Sequence, residues 1–435
     1  MSNKARKKLA KNRTTKARTN RTPAKTPAAF GQSTDLLAPW RKLGIAAPPG
    51  TTSQPTASTP AQITRTATTP ADPQPAPDGG GCAAGIATEA ATRTQAVAAT
   101  YWLDSGRGGP PFSVLIRFVG ARVGAADPAQ PGDRFDQVER VDGITPGSGP
   151  VSITTRAEGV NPGQWQVTAT PDQEFNTAST GAAASTGARL PRRELTAHTR
   201  MSQLAHGPGV RPVLWPGLVG LGVLVGLVLQ AILLARAHLD VPITTAVALG
   251  ASILGYIGAK GWYLALHRQH PRTFLHAGAC IQGFLVGGIG TMVIAVAALR
   301  IPVGTFLDAS TPGLFIGMAI GRPGCFFTGC CFGRPTASRW GLWSSDRRVG
   351  IRRVPIQLIE AIAALLIGSV ALPLALGGPP PIRGMIFVGA IAAYTGFRQV
   401  LFPFRVDPRT SVGRTVTLTG CAVVLLADIA LSLVR

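Results

Sequence analysis

The chain has 435 residues, 45% of them hydrophobic, and a formal net charge of +23 from 43 Lys or Arg against 20 Asp or Glu. This length allows two or three folding units. Of the six cysteines, only Cys82 lies outside the apolar C-terminal half, which argues against a secreted fold held by disulfides. The basic N-terminal stretch continues into Thr, Pro and Ala without an apolar core, so no secretory signal peptide is expected.

The N-terminal part divides into a tail, a small domain and a linker. Residues 1–95 predict a disordered basic tail, because their Thr, Pro, Ala, Lys and Arg cannot bury enough apolar surface to offset ordering. The run Lys4–Lys25 is either solvated or rests on anionic lipid. Residues 96–172 predict a small all-β domain, because β-branched runs alternate with Gly- and Pro-rich turns. Its expected architecture is an immunoglobulin-like sandwich and its expected role is partner binding, and residues 173–210 predict a linker.

Residues 211–435 predict an all-α integral membrane domain of seven helices. Seven apolar runs are long enough to cross a bilayer, at 213–235, 243–266, 277–299, 301–320, 356–376, 382–401 and 416–434. Four glycines in the third run favour close helix packing in lipid: Gly283, Gly287, Gly288 and Gly290.

Five arginines crowd the loop between the fourth and fifth runs: Arg339, Arg347, Arg348, Arg352 and Arg353. The positive-inside rule predicts that this loop is cytoplasmic, and it predicts the same for the basic N-terminal tail. Seven spans would put the tail and the loop on one side, so the two signals agree.

The most informative stretch follows the fourth apolar run and reads GRPGCFFTGCCFGRPT from Gly321 to Thr336. Its glycines let a head group approach the backbone, and an arginine at membrane depth is costly enough to suggest a function. We therefore predict a pocket that grips an anionic lipid head group through Arg322. A helix-end arginine that reaches the interface is the alternative. Arg334 either lies at the interface or closes the same pocket.

Further charged residues belong to the fifth and sixth runs. Arg398 lies inside a continuous apolar stretch and is favoured as a ligand over Arg405. The segment Arg353–Glu360 opens the fifth run, with Pro355 suited to a first helical turn. Glu360 then lies about one turn inside, where it needs a partner such as an arginine. A structural ion pair and a catalytic role both fit this carboxylate.

The order and spacing of these motifs resemble the prolipoprotein diacylglyceryl transferase family. The motifs are Gly-Arg-x-Gly at 321–324, Gly-x-x-x-Gly-Arg-Pro-Thr at 329–336, Arg-x-Pro-x-Gln-Leu-x-Glu at 353–360, and Phe397-Arg398 with Arg405 seven residues later. The resemblance covers about residues 213–434, and Gly258-Ala-Lys260 is similar to a Gly-Gly-Arg segment of the family.

This resemblance implies a multi-pass enzyme of the plasma (cytoplasmic) membrane that needs no cofactor. It would move the diacylglyceryl group of phosphatidylglycerol to the lipobox cysteine thiol of a preprolipoprotein and release glycerol phosphate. Its partners would be phosphatidylglycerol or a similar anionic phospholipid, the preprolipoprotein and the membrane, with no specific nucleic acid. The family's reaction and N-terminus face the outer side, in conflict with the positive-inside prediction.

The resemblance also implies roles for individual residues. Arg322 would bind the phosphate, and Arg398 would stabilise its departing charge. The implied catalytic residues are Arg398, Gln282, Cys325 and Cys330. The implied substrate-binding residues are Arg322, Gly324, Gly333, Arg334, Gln357 and Glu360.

Four polar positions of the family pattern differ in this chain. Cys325 replaces an asparagine, Cys330 an acidic residue, Gln282 a histidine and Phe402 a glutamate. Glutamine can orient a group but cannot accept a proton near neutral pH. Two alternatives therefore stay open: transfer of a phospholipid-derived group to another acceptor, and a non-catalytic lipid-binding scaffold whose β domain recruits a partner.

Three cysteines lie close together in this stretch: Cys325, Cys330 and Cys331. They either pack as small apolar residues or act as thiolates of lowered pKa beside Arg322. A third interpretation is the beginning of a metal site, with His276 or Cys280 as fourth ligand. No metal forms part of the predicted active site.

Overall fold

The computed structural model describes residues 63–66, 95–173, 190–274, 281–378, 380–406 and 410–433. The predicted disordered tail over 1–95 lies outside these residues, apart from Ile63–Thr66, which form an edge strand, and Gln95, which begins the strand that follows. The described chain consists of a β sandwich and a set of seven helices.

Two five-stranded antiparallel sheets form the sandwich, in the orders β1-β4-β3-β6-β7 and β8-β2-β5-β10-β9. The strands are β1 Ile63–Thr66, β2 Gln95–Asp104, β3 Phe112–Arg122, β4 Arg134–Ile144, β5 Pro150–Glu158, β6 Gln164–Pro171, β7 Arg193–His198, β8 Arg200–Met201, β9 Leu342–Ser345 and β10 Val349–Arg353. Alternation along β3 buries Ile116 and Phe118 and exposes Arg117, as expected for a sheet with one solvated face. Tyr101 and Trp165 complete the core from both sheets.

The sandwich extends beyond the predicted domain at 96–172. β7 and β8 lie within 173–210, which the sequence predicted to be a linker. The hairpin of β9 and β10 comes from the loop between the fourth and fifth helices, and β10 pairs with β5. Val349 and Ile351 of this hairpin are buried in the sandwich core. The second sheet is therefore shared between the N-terminal domain and the helical domain, and they are not separate modules.

Seven α-helices lie in the described residues, which confirms the predicted number. They are α1 Leu214–Arg236, α2 Val241–Leu266, α3 Ile281–Ala298, α4 Val303–Thr328, α5 Ile356–Leu376, α6 Met385–Leu401 and α7 Ser411–Leu433. Six of them are long and apolar enough to span a bilayer. The seventh helix, α3, is not among these six, because the apolar stretch described within it, Val286–Ala298, is shorter.

Glycines let neighbouring helices approach closely. A Cβ atom on Gly226 of α1 would lie 2.8 Å from the carbonyl oxygen of Gly313 on α4. A Cβ atom on Gly283 of α3 would collide with the carbonyl oxygen of Gly258 on α2. These contacts confirm the predicted close helix packing at glycines, although a Cβ atom on Gly290 would have no neighbouring atom within 4 Å.

Helix α4 continues past the predicted end of its span at residue 320. It runs through Arg322, Pro323 and Cys325 to Thr328, and Gly329 ends it in the left-handed conformation at φ 73°. The prediction placed the boundary where the apolar residues end. The helix can continue because the half-buried Arg322 side chain has an anionic partner in the bundle.

Candidate functional site

A buried carboxylate lies at the centre of the site. Glu360, in the second turn of α5, is fully buried and faces three guanidinium groups. Its Oε2 lies 3.0 Å from Nη1 of Arg322, and its Oε1 lies 3.2 Å from Nε of Arg398. The same Oε1 lies 3.0 Å from Nη1 of Arg405. The structure thus brings the two arginines favoured from the sequence to one carboxylate, together with a third.

The three contacts differ in geometry. Arg405 donates a hydrogen bond to Glu360 and its side chain is 4% exposed. Among the described residues, Glu360 Oε2 and Arg398 Nε are buried atoms without an aligned hydrogen bond, so their contacts are purely electrostatic. Arg322 donates from Nη2 to the Tyr394 hydroxyl at 3.1 Å, and the Arg398 side chain is 30% exposed. A guanidinium has five N–H donors, so Arg322 and Arg398 have donor capacity beyond these contacts.

The charge of this cluster is unbalanced. Three guanidinium cations face one carboxylate, which leaves an excess of two positive charges among these four groups. Arginine binds phosphate and carboxylate through paired N–H donors. The arrangement is therefore suited to hold an anion within a helical bundle.

Backbone hydrogen bonds between three chain segments fix this geometry. The Arg334 amide donates to the Phe404 carbonyl at 2.8 Å, and Arg334 Nε donates to the Arg405 carbonyl at 3.0 Å. The Val354 amide donates to the Arg334 carbonyl at 3.0 Å. A Cβ atom on Gly333 would collide with the Val354 carbonyl, so the chain needs glycine there. Arg334 therefore acts on the site by holding the backbone of Arg405.

The loop after α4 folds back over the last turn of that helix. Gly329 has φ 73° and Cys331 has φ 54°, so two residues of this short loop are left-handed. The buried Gln357 donates from Nε2 to the Cys330 carbonyl at 2.8 Å. The sulfur atoms of Cys325, Cys330 and Cys331 all lie within 4.8 Å of one another. Gln357 thus holds the cysteine loop, and the loop brings the three thiols together.

The remaining predicted residues lie in different places. Gly324 lies at the contact of α4 with α1, where its Cβ would be 3.1 Å from the Trp215 Cα. Gln282 is in the first turn of α3, and its side chain is outside the described part of the structure. Lys260 is buried in α2 and donates from Nζ to the Phe274 carbonyl at 3.0 Å.

Arginines of the loop between α4 and α5 stabilise the hairpin. Arg353 is 1% exposed and pairs with Asp346 at 2.8 Å. Arg347 donates from Nε to the Thr328 carbonyl at 3.1 Å. The positive-inside prediction treated these cations as free loop charge. Because the fold uses them in internal contacts, they carry a weaker topological signal than their number suggests.

Two residues of the cluster, Arg405 and Tyr394, are not among the predicted site residues. The sequence favoured Arg398 over Arg405 as a ligand, and in the structure Arg405 is the more buried of the two and the better aligned with Glu360. Tyr394 was not singled out. A signal existed, because Tyr394 precedes Arg398 by four residues and the two therefore lie on one face of α6.

Comparison with known families agrees with this architecture. The family model described as prolipoprotein diacylglyceryl transferase matches residues 209–434, just over half of the chain. The chain belongs to this family. The match begins before α1 and ends at residue 434, just past the end of α7, so it covers all seven helices.

Curated relatives carry the name phosphatidylglycerol–prolipoprotein diacylglyceryl transferase. One from a Nostoc species is 29% identical over 231 residues, which is 48% of this chain and 81% of the relative. One from Trichormus variabilis is 28% identical over 229 residues, 47% of this chain and 81% of the relative. One from Frankia alni is 26% identical over 239 residues, 50% of this chain and 62% of the relative. In these family members the matched region is most of the protein, whereas here it is about half.

Proposed function

We propose that this protein transfers the diacylglyceryl group of phosphatidylglycerol to the thiol of a prolipoprotein cysteine. The relatives' names give the donor and the acceptor. The observation that carries the proposal for this chain is the convergence of Arg322, Arg398 and Arg405 on the buried Glu360. In a bilayer, such an excess of positive charge needs an anionic ligand, and the phosphate of phosphatidylglycerol supplies one.

The roles of the arginines follow from their contacts. Arg405 donates a hydrogen bond to Glu360, and Arg334 holds its backbone, so Arg405 orients the carboxylate. Arg322 and Arg398 hold the lipid phosphate. The acceptor thiol loses its proton to water and its sulfur bonds to the terminal glycerol carbon. The bond from that carbon to the phosphate oxygen breaks, and its electron pair leaves with glycerol phosphate. Fixed cations stabilise this departing charge, which is the role that we assign to Arg398.

The other predicted site residues serve the acceptor side and the supporting backbone. Cys325 and Cys330 line the site next to Arg322, and we assign Gln282, in the first turn of α3, to the acceptor side. Gly333 and Gln357 fix the loops that carry these groups, through the contacts described above. Gly324 contributes by close packing of α4 on α1.

A lateral groove suits the acyl chains of the donor. The groove lies between α6 and α7, has a volume of about 390 Å³ and is lined mainly by apolar side chains, including those of Ile391 and Val424. Thr395 lines it one turn before Arg398 on the same helix. A phospholipid whose phosphate contacts Arg398 can therefore place its acyl chains in this groove, which opens to the surrounding lipid.

The sandwich and the location complete the proposal. We assign the protein to the plasma membrane as a multi-pass enzyme. The immunoglobulin-like sandwich would present a partner, the preprolipoprotein among them, to the end of the bundle where the hairpin of β9 and β10 leads into α5.

The test uses the full-length protein in phosphatidylglycerol vesicles with a synthetic lipobox peptide. Mass spectrometry should detect the thioether-linked diacylglyceryl peptide. Arg398→Gln should slow its formation by about 10²–10³-fold, the usual cost of one group that stabilises developing charge. Arg140→Gln is the matched control, because Arg140 is an exposed sandwich residue paired with Asp142. Folded Arg398→Gln protein with the wild-type rate would refute the assigned role.

A second candidate is transfer of the lipid group to another acceptor. Two substitutions favour it: Gln282 stands where the family pattern has a histidine, and Cys330 stands where it has an acidic residue. In the same vesicles it predicts consumption of phosphatidylglycerol without modification of the peptide. A lipid-binding scaffold predicts no consumption, and loss of retained lipid on Arg322→Ala.

A further inference from the structure

We propose that Cys325, Cys330 and Cys331 form a thiolate site for a soft d¹⁰ metal ion such as Zn²⁺. Their sulfur atoms lie within 4.8 Å of one another, and none of the three is in a disulfide. Zinc–thiolate bonds are about 2.3 Å long, so the sulfurs of a tetrahedral centre are about 3.8 Å apart. Small side-chain rotations therefore close the observed arrangement around one ion.

The backbone is shaped to bring the sulfurs to one point. Cys325 lies in the last turn of α4, and the left-handed Gly329 then reverses the chain. Cys331 is also left-handed, a conformation that residues other than glycine seldom adopt. The hydrogen bond from Gln357 holds the carbonyl of Cys330. Small apolar residues that only fill space would not need this arrangement.

A guanidinium cation of the arginine cluster lies next to the three cysteines. Arg322 lies one turn before Cys325 on the same face of α4. Its guanidinium interacts electrostatically with Cys325 and Cys331. Three thiolates around a divalent ion carry one net negative charge, which this cation compensates. The metal site thus adjoins the arginine cluster, with Arg322 next to both.

The three ligands leave one coordination position. Among the described residues no fourth His, Cys, Asp or Glu joins the group. The sequence suggested His276 or Cys280 as the fourth ligand, and both lie outside the described residues. Cys325 is buried, whereas Cys330 and Cys331 are half-buried, so the group opens on the side of the loop. Three protein ligands with an open position are the pattern of zinc sites that act on a substrate.

The open position deepens the proposed function, on which this step rests. An acceptor thiol that binds the metal releases its S–H proton to solvent and stays as a thiolate. Its sulfur electron pair then forms the new sulfur–carbon bond, while the carbon–oxygen bond breaks and its electrons leave with glycerol phosphate. This route needs no histidine, and it explains how Gln282 can stand where a proton acceptor is expected.

The binding test uses reduced full-length protein in detergent and Co²⁺ as the probe, because cobalt thiolates absorb strongly. The wild type should bind one Co²⁺ per chain, with a sulfur-to-metal charge-transfer band that Zn²⁺ displaces. Cys331→Ser should weaken binding by about tenfold or more. Cys421→Ser is the matched control, because Cys421 is also a half-buried free cysteine but lies on α7 outside the group. It should bind like the wild type.

Two results would overturn the site: no charge-transfer band in the wild type, or equal Co²⁺ affinity in Cys331→Ser. If Cys331→Ser does not fold, alkylation of the wild type decides. Zn²⁺ should protect the three thiols but not Cys421 from iodoacetamide, and unprotected thiols would refute the proposal.

A second arm tests the open position separately. A lipobox peptide with cysteine should shift the cobalt spectrum, whereas the same peptide with serine should not. No shift would overturn the acceptor role of the metal. The thioether assay on vesicles judges the proposed function by itself, so the two failures are distinguishable.

Discussion

The carboxylate of Glu360 should be the residue on which the stability of the helical domain depends most. Glu360→Gln keeps the volume of the side chain and an oxygen that can accept the hydrogen bond of Arg405. It removes only the negative charge, and three guanidinium groups then face one another in a buried site. The substitution therefore isolates the electrostatic contribution of this one charge.

The distances give the magnitude. Opposite unit charges 3.0 Å apart, as for Arg322 and Glu360, attract by about 5 kcal/mol at an effective dielectric constant of about 20. Desolvation offsets most of three such attractions, and breaking one buried ion pair costs about 3–5 kcal/mol. Because the remaining cations also repel one another, we expect Glu360→Gln to lose about 5 kcal/mol.

Thermal unfolding in detergent measures this loss at a fixed scan rate. The midpoint for Glu360→Gln should fall by about 10 °C or more. Glu158→Gln is the control, because the Glu158 side chain is 51% exposed and pairs with Arg156 at the surface. Such pairs contribute about 1 kcal/mol or less. If both variants unfold at the wild-type temperature, the inference that Glu360 organises the arginines is wrong.

Two further substitutions test the site backbone and the sandwich. Gly333→Ala should cost about 1–3 kcal/mol through overpacking and should slow transfer, because its methyl group would collide with the Val354 carbonyl. Gly250→Ala on α2, where a Cβ atom would have no neighbour within 4 Å, should match the wild type. Equal melting temperatures and rates for both variants would argue against the close approach at Gly333. In the sandwich, the hydrogen bond from Arg122 lowers the pKa of Asp133 from 3.8 to about 2. The folded state favours the ionised form, so its stabilisation is present above about pH 4 and is lost as the pH falls towards about 2. Asp133→Asn should flatten this acid-dependent loss in unfolding followed by tryptophan fluorescence, and an unchanged pH profile would contradict the assignment.

The helices were predictable because each is a local property of the chain. An apolar run of bilayer length specifies a span almost by itself. The hairpin of β9 and β10 was not predictable in this way. Its partner is β5, and Gly350 donates a hydrogen bond to the Ser152 side chain across 198 positions of sequence. No local sequence pattern indicates such a pairing. The arginines of this loop were therefore interpreted only as a signal that the loop is cytoplasmic.

The site was predictable only for charged residues that lie in or next to an apolar run. Arg322 directly follows an apolar run and Arg398 interrupts one, and a charge at membrane depth requires a partner. Arg405 follows the sixth run, where an arginine at the interface is ordinary. Its burial depends on backbone contacts with Gly333 and Arg334, which come from a different part of the chain. Only the folded structure shows that it completes the cluster.

The cluster is organised before any lipid arrives. Without Glu360, Arg322 and Arg398 would repel each other and turn towards the interface. One carboxylate can hold them in place but cannot neutralise them, so two positive charges remain for a ligand. Arg405 contributes by fixing the carboxylate through an aligned hydrogen bond. The binding of a phosphate then needs little rearrangement of protein charge, which is the condition under which fixed cations stabilise a departing anion most effectively.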